Sequence, residues 1–264
     1  MLKIVSLLSL LITASFAKVY YAKVEPYELR TIASAVSGRV VYTDENMLGK
    51  KLSKRAFLQI DDKLNRDELK SVRKKRGYLK ETLALDEKIV KNLEEVLKRK
   101  RENFKRILSL SIKSKVEKDR EFYDLVASEN RYFSTLKEIN SLKTTSSDLE
   151  LREKQLLKQI HDKTITAEGF VLYDLKVKPE SVVNIGTPLA KVADVSKAIA
   201  VVYLDKDDLK RLNKSVVYIN DQKSNYRFSR VSKIADSKNI SRYRAELVMK
   251  APKIFSTLIK IELK

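Results

Sequence analysis

The side chains best able to do chemistry are few and far apart. The chain has one histidine, His161, and no cysteine. One imidazole cannot make a metal centre by itself, and without thiols there is neither a disulfide nor a thiolate site. His161 lies where a helix is expected to end, and its positive form suits that place without further purpose. No Ser-centred elbow, Walker loop, dinucleotide fingerprint or His-Glu-x-x-His pair occurs. The residue pattern points away from an enzyme and calls for no cofactor and no metal.

What the pattern offers instead is a contact surface at one reversal of the chain. Residues Ser109 to Lys113 interrupt about a hundred helix-forming residues. Arg106, Ile107, Leu110, Ile112 and Ser114 cluster around them. Ser114 is a good N-cap, and Glu117 three residues later completes a capping box. An apolar tip with a few hydrogen-bonding groups suits a groove between the helices of a partner. The same apolar residues would also serve to close the turn.

Two long helices must carry that tip. The first is expected from Leu64 to about Ser109. Its seam, Leu69, Val72, Arg76, Leu79, Leu83, Asp86, Val90, Leu93, Leu97, Lys100, Phe104 and Ile107, alternates steps of three and four. That spacing is the mark of a coiled coil, and Arg76, Asp86 and Lys100 are its polar interruptions. The return helix is expected from Ser114 to about Asp162. Its seam runs Phe122, Leu125, Glu129, Tyr132, Leu136 and Ile139, slips in phase, and resumes as Leu142, Ser146, Leu149, Glu153, Leu156 and Ile160. Thr144 to Ser147 are poor helix formers and fall opposite Gly77 and Tyr78. A break or bend is expected at that height.

The helices interrupt β-rich sequence. Strand-forming runs with turn signals fill the segment before the insertion, to Asp61, and the segment from Ile165 onward. They read as halves of one small β-domain, so the helical insertion leaves and returns as a hairpin. The C-terminal residues, from Ala198, read as strands of a small barrel with one short helix at Asp205 to Leu212, and the first strand, Val19 to Val24, is expected to join them.

The 264 residues carry a formal charge of +20, with pI near 9.8. Such a charge fits nucleic acid, an anionic membrane or an acidic partner. Here Lys and Arg are interleaved with Asp and Glu almost throughout, as on solvated helix faces. The densest run, Arg73 to Arg76, lacks interleaved aromatics, so no nucleic-acid partner is expected. At the N-terminus Lys3, a short apolar run and Ser15-Phe16-Ala17 form a secretory signal peptide, expected to be cleaved after residue 17; retention as an anchor is the alternative. The mature protein is then exported.

The second β-half carries Ile165-Thr166-Ala167-Glu168-Gly169-Phe170-Val171 and Pro179-Glu180-Ser181-Val182-Val183-Asn184-Ile185-Gly186-Thr187-Pro188-Leu189. The first resembles I-x-A-P-x-x-G-x-V. The second resembles P-G-x-x-V-x-x-G-x-P-L, with Glu180 where Gly is usual. The first half carries Val36-Ser37-Gly38-Arg39-Val40, then Gly49 and Ile60-Asp61. In this order, around a hairpin, the chain resembles the membrane fusion protein family, the HlyD-like periplasmic adaptors of tripartite efflux pumps.

That resemblance implies an α+β, elongated, modular protein. Residues 18–30 would be an N-terminal strand joining the barrel. Residues 31–62 and 164–197 would be halves of a split lipoyl-like β-sandwich, with Gly38, Gly49, Gly169 and Gly186 at its turns. Residues 63–163 would be the α-helical coiled-coil hairpin, with its tip near 109–114, and residues 198–264 a C-terminal β-barrel. It further implies a non-catalytic role in the periplasm, beside the inner membrane. Implied partners are an inner-membrane transporter of RND or ABC type, a TolC-type outer-membrane channel and further copies of the chain in a ring. In adaptors that dock such channels the tip carries an Arg, a Leu and a Ser. Here Ser114-Lys115-Val116-Glu117 matches the start of the return helix, Ile107 falls at the Leu position, and Asn103 at the Arg position with Arg106 out of register. Other readings of the residues are an exported coiled-coil chaperone or envelope scaffold, and a type I secretion adaptor.

Overall fold

The computed structural model describes residues 18–212, 214–235 and 241–264. The expected signal peptide, residues 1–17, lies outside the described residues. In chain order the elements are β1 (Val19–Ala33), β2 (Gly38–Thr43), β3 (Leu58–Ile60), α1 (Lys63–Ser109), α2 (Lys115–Lys163), β4 (Thr164–Ile165), β5 (Val171–Leu175), β6 (Val182–Val183), β7 (Pro188–Leu204), α3 (Lys206–Arg211), β8 (Val217–Ile219), β9 (Gln222–Lys223), β10 (Phe228–Ala235), β11 (Tyr243–Lys250) and β12 (Leu258–Leu263). The protein is α+β, with one long helical hairpin between segments of sheet.

The segments before and after the hairpin share one core. Val40, Leu58 and Ile60 pack in the same buried cluster as Ile165, Leu172, Val183 and Leu189. Strands β4, β3, β2 and β6 are neighbours in that order, so β3, which feeds α1, pairs with β4, which receives α2. Backbone bonds stitch the halves further: Gly49 N–H donates to Leu172 O at 2.8 Å, and Leu52 N–H to Phe170 O at 2.7 Å. The hairpin thus leaves and re-enters a single β-body.

Gly49 and Gly186 have φ of 74° and 85°, a region that L side chains rarely adopt. Gly38 differs from the turn role expected of it. It opens β2, and a Cβ there would stand 2.6 Å from Ile60 Cγ2. Packing, not turn geometry, demands glycine at that position.

The second core is formed by the C-terminal strands with the start of β1. Val19 to Lys23 pair antiparallel with β12, and the strand order is β10-β11-β7-β1-β12-β8-β9. Ala198, Ala200, Val202 and Leu204 of β7 alternate into this core, as a strand with one buried face must. Asp205 caps α3, its carboxylate accepting from the Asp207 and Asp208 N–H groups. Strands β1 and β7 each run through both β-bodies and pair with each other from Val24 to Ala33. Positions 30/31 and 197/198 therefore lie inside continuous strands.

Helices α1 and α2 have 47 and 49 residues, so each arm is about 70 Å long at ~1.5 Å per residue. Every α1 seam residue named above is buried or half-buried, and so is every α2 seam residue except Phe122. Two of the three polar α1 seam residues, Arg76 and Lys100, find partners across the arms. Arg76 and Arg73 both donate to Glu153, the latter at 2.8 Å. Lys100 Nζ reaches Asp124 Oδ2 at 2.6 Å and Ser128 Oγ at 2.8 Å.

The break expected at Thr144 to Ser147 is not there: α2 is continuous from Lys115 to Lys163. Thr144, Thr145 and Ser147 turn their hydroxyls back onto the carbonyls of Asn140, Ser141 and Lys143. This back-bonding satisfies the hydroxyls inside the helix at a slight cost to its stability. Burial of Ile139 and Leu156 on either side holds the segment helical, overriding weak propensity.

Candidate functional site: the hairpin tip

The end of the hairpin is a short apolar crown on a rigid base. Helix α1 ends at Ser109, and Leu110 takes an extended conformation as its C-cap. Helix α2 starts after Ser114, where both halves of the capping box form. Ser114 Oγ accepts from the Glu117 N–H, and Glu117 Oε2 accepts from the Ser114 N–H at 2.9 Å. Lys113 Nζ adds a contact to Glu117 Oε1 at 2.8 Å. These bonds, the Lys113 contact first and then the Ser114 N–H and hydroxyl, hold the Glu117 carboxyl down at about 2. Lys118 Nζ donates to Leu108 O across the reversal at 3.3 Å. Five residues of loop are thus pinned to both helix ends.

That base leaves the outer side chains uncovered. Ile112 is 90% exposed, and Leu110 is also exposed. Arg106 and Ser114 are exposed at the margin. Ile107 is different. It is half-buried at the last seam position and lines a polar cleft of about 430 Å³ with Lys113, Glu117, Arg120, Glu121 and Asp124. Asn103 is half-buried and donates to Glu121 at 3.4 Å, so it joins the arms. The structure therefore brings Leu110 and Ile112 together on the outside and turns Ile107 inward.

Two further apolar residues belong to the crown, Leu108 and Val116, the latter 78% exposed. Both are off the seam spacing in a region otherwise rich in charge, and that was their signal in the sequence. Phe104 and Phe122 close the seam beneath the crown, their ring centroids 5.9 Å apart. The crown offers apolar area, a few hydrogen-bonding groups and no charged centre at its apex. It can bind in a groove, and it holds no group arranged for bond making.

Away from the tip, no group of three or more His, Cys, Asp or Glu residues among the described residues could hold a metal ion. No described helix is long and apolar enough to cross a membrane.

No protein-family model matches the sequence, and no curated protein matches it. Solved structures do match. MacA from Actinobacillus actinomycetemcomitans aligns over 94% of this chain and 78% of its own, with TM-score 0.70 and 14% identity. A MacA-MexA chimeric protein containing the Pseudomonas aeruginosa MexA alpha-hairpin domain aligns over 94% and 81%, with TM-score 0.59 and 15% identity. The membrane fusion protein Spr0693 from Streptococcus pneumoniae R6 aligns over 94% and 98%, with TM-score 0.59 and 12% identity. Nearly the whole described chain takes part in each match, hairpin and β-bodies together, and the chain thus has the membrane fusion protein fold.

Proposed function

We propose that this chain is a membrane fusion protein acting as a non-catalytic periplasmic adaptor. It bridges an inner-membrane transporter of RND or ABC type and a TolC-type outer-membrane channel, for efflux of small molecules. The observation that carries the reading is the hairpin: an arm about 70 Å long that springs from and returns to one β-core and ends in an exposed apolar crown. Such an arm reaches a partner that the β-bodies do not touch. In this reading the core shared by the two halves is the lipoyl-like domain, the C-terminal strands with the start of β1 are the barrel facing the transporter, and several copies form a ring. Contacts that are small in one copy gain from repetition around it. The likeness of fold to MacA and Spr0693 supports the reading.

The tip would enter a channel groove with Leu110, Ile112 and Val116, flanked by Arg106 and Ser114, while Ile107 supports them from the seam. Crosslinking in cells tests this. A cysteine at Ser111 has no native thiol to compete with and should capture an outer-membrane channel protein. Ile112→Asp, at a side chain that packs on nothing in the chain, should abolish the adduct and leave the helical circular dichroism unchanged. Capture of unfolded soluble proteins alone would instead identify an exported chaperone.

A further inference from the structure

Positive charge is not spread evenly along the hairpin. Residues 98–124, the distal part of both arms with the reversal between them, hold ten Lys and Arg against five Asp and Glu. The rest of the hairpin, 63–97 and 125–163, holds seventeen against thirteen. The excess is steepest at the reversal itself. From Phe104 to Lys118 there are five cations, Lys105, Arg106, Lys113, Lys115 and Lys118, and one carboxylate, Glu117. They surround the apolar crown, whose members Leu108, Leu110, Ile112 and Val116 are all exposed. Arg106 precedes Leu108, Lys113 follows Ile112, and Lys115 and Lys118 bracket Val116.

Local structure does not account for this collar. The ion pairs of the distal hairpin are Lys100–Asp124, Arg101–Glu129 and Lys113–Glu117. Lys105, Arg106, Lys115 and Lys118 are left without a carboxylate among the described residues, and Lys118 Nζ reaches only the Leu108 carbonyl. The helix dipoles divide the four. Lys105 and Arg106 stand near the C-terminal end of α1, where the dipole favours a cation. Lys115 opens α2 and Lys118 closes its first turn, where the dipole opposes one. Like charges this close also repel one another. Lys115 and Lys118 therefore weaken the tip when it stands alone.

We propose that the tip is built for an acidic partner, a protein whose apolar groove is bordered by carboxylates. The crown fills the groove, and Lys105, Arg106, Lys115 and Lys118 face the carboxylates around it. This rests on the docking role in the adaptor reading and names the chemistry of the surface that is met. A groove suits the tip better than a lipid surface does. The loop is pinned to both helix ends, so the crown keeps one shape; a groove can match a fixed shape, and a fluid bilayer gains nothing from it. The two parts of the contact act on different rates. Apolar burial sets how long the contact lasts, whereas rim charges of opposite sign steer the encounter. Salt screens that steering, with a Debye length of about 10 Å at 0.1 M.

The probe is the channel protein captured from Ser111→Cys, purified in a neutral detergent. Its association with the full-length chain should slow on the order of tenfold as salt rises from about 0.05 to about 0.5 M. Lys105, Arg106 and Lys115 are exposed, and their side chains make no bond among the described residues. Lys105→Gln, Arg106→Gln and Lys115→Gln combined should keep the parent's circular dichroism. The triple variant should associate more slowly at low salt, on the order of tenfold, with a flattened salt dependence and a dissociation rate nearly unchanged. Ile112→Ala should do the reverse, speeding dissociation and keeping the parent's salt dependence. Parent rates and parent salt dependence in the triple variant would overturn the proposal and leave the adaptor reading standing. Binding to phosphatidylglycerol vesicles in place of the channel, lost in the triple variant and absent on phosphatidylcholine, would overturn it in favour of a lipid surface. If Ser111→Cys captures no channel, the adaptor reading and the proposal fall together.

Discussion

Arg39 Nη1 donates to Glu180 Oε2 at 3.1 Å, and the residue it holds is a glutamate with φ of 72°. Glu180 stands where the resembling motif has glycine, and its backbone keeps the conformation that glycine would take. The left-handed region costs an L-residue about 1–2 kcal/mol. The ion pair across the turn is exposed on both sides, and such pairs return about 0–1 kcal/mol. The strain should win. Glu180→Gly is expected to stabilise the β-body by about 0.5–1 kcal/mol, read as a higher denaturation midpoint. A lower midpoint would show that the Arg39 contact outweighs the backbone.

Asp86 is the one polar α1 seam residue described here with no partner across the arms. Its Oδ2 is buried and makes no hydrogen bond, while Arg76 and Lys100 both find acceptors. A buried acceptor left unpaired costs about 1–3 kcal/mol. Asp86→Leu fills the same seam position with an apolar side chain of similar size and should raise the thermal midpoint of the hairpin, by about 1–2 kcal/mol of stability. Asp86→Asn, which keeps a polar group in place, should recover little of that gain. Equal melting of all three proteins would mean that solvent reaches the carboxylate.

These two cases show where sequence reasoning succeeds and where it stops. The seam was legible because burial in a coiled coil repeats with the spacing of the helix, and the half-buried state of Arg76, Asp86 and Lys100 follows from position alone. The capping box at Ser114 and Glu117 was legible because it is local. What an arm's partner offers at each height is not local. Nothing in the α1 spacing shows that Glu153 serves two arginines while Asp86 meets none. The break expected near Thr144 failed for the same reason: propensity is a property of the segment, and packing of Ile139 and Leu156 against the other arm decided the outcome. Strands β1 and β7 hide their continuity because each changes neighbours midway, so the buried face changes with it. At the tip, the resemblance implied that Ile107, counted back from Ser114, takes the Leu position. The reversal turns it inward and hands the outer surface to Ile112 and Val116.

Gly38 gives a steric prediction. With Ile60 Cγ2 only 2.6 Å from where a Cβ would stand, and Ile60 fully buried, one of them must move. Gly38→Ala should destabilise the β-body by about 1–3 kcal/mol. Ile60→Ala removes the Cγ2 methyl group itself, at about 2–5 kcal/mol alone. The double variant should be more stable than the two losses added together, as expected for residues in contact. Strict additivity in a denaturation cycle would show that the strand shifts instead.

The first turn of α2 should loosen in acid. Glu117 is held at about 2 by Lys113 and Ser114, below the ordinary carboxylate value near 4.5. A carboxyl whose value falls on folding contributes stability that is complete above its unfolded value and is lost as pH drops through the folded one. The contribution therefore shrinks from about pH 4.5 downward and is gone below about pH 2. Protonation removes the charge that holds Lys113 and weakens the acceptor of the Ser114 N–H, so the first turn of α2 should fray in that window. Amide hydrogen exchange at Ser114 and Glu117 should accelerate, after correction for intrinsic rates, while Leu97 and Leu125 deeper in the seam stay protected. Glu117→Gln keeps an acceptor but loses the charge, and should show weaker protection at pH 7 with no further loss down to pH 3. If exchange at the tip of the parent protein is flat across the window, Glu117 does not order the turn.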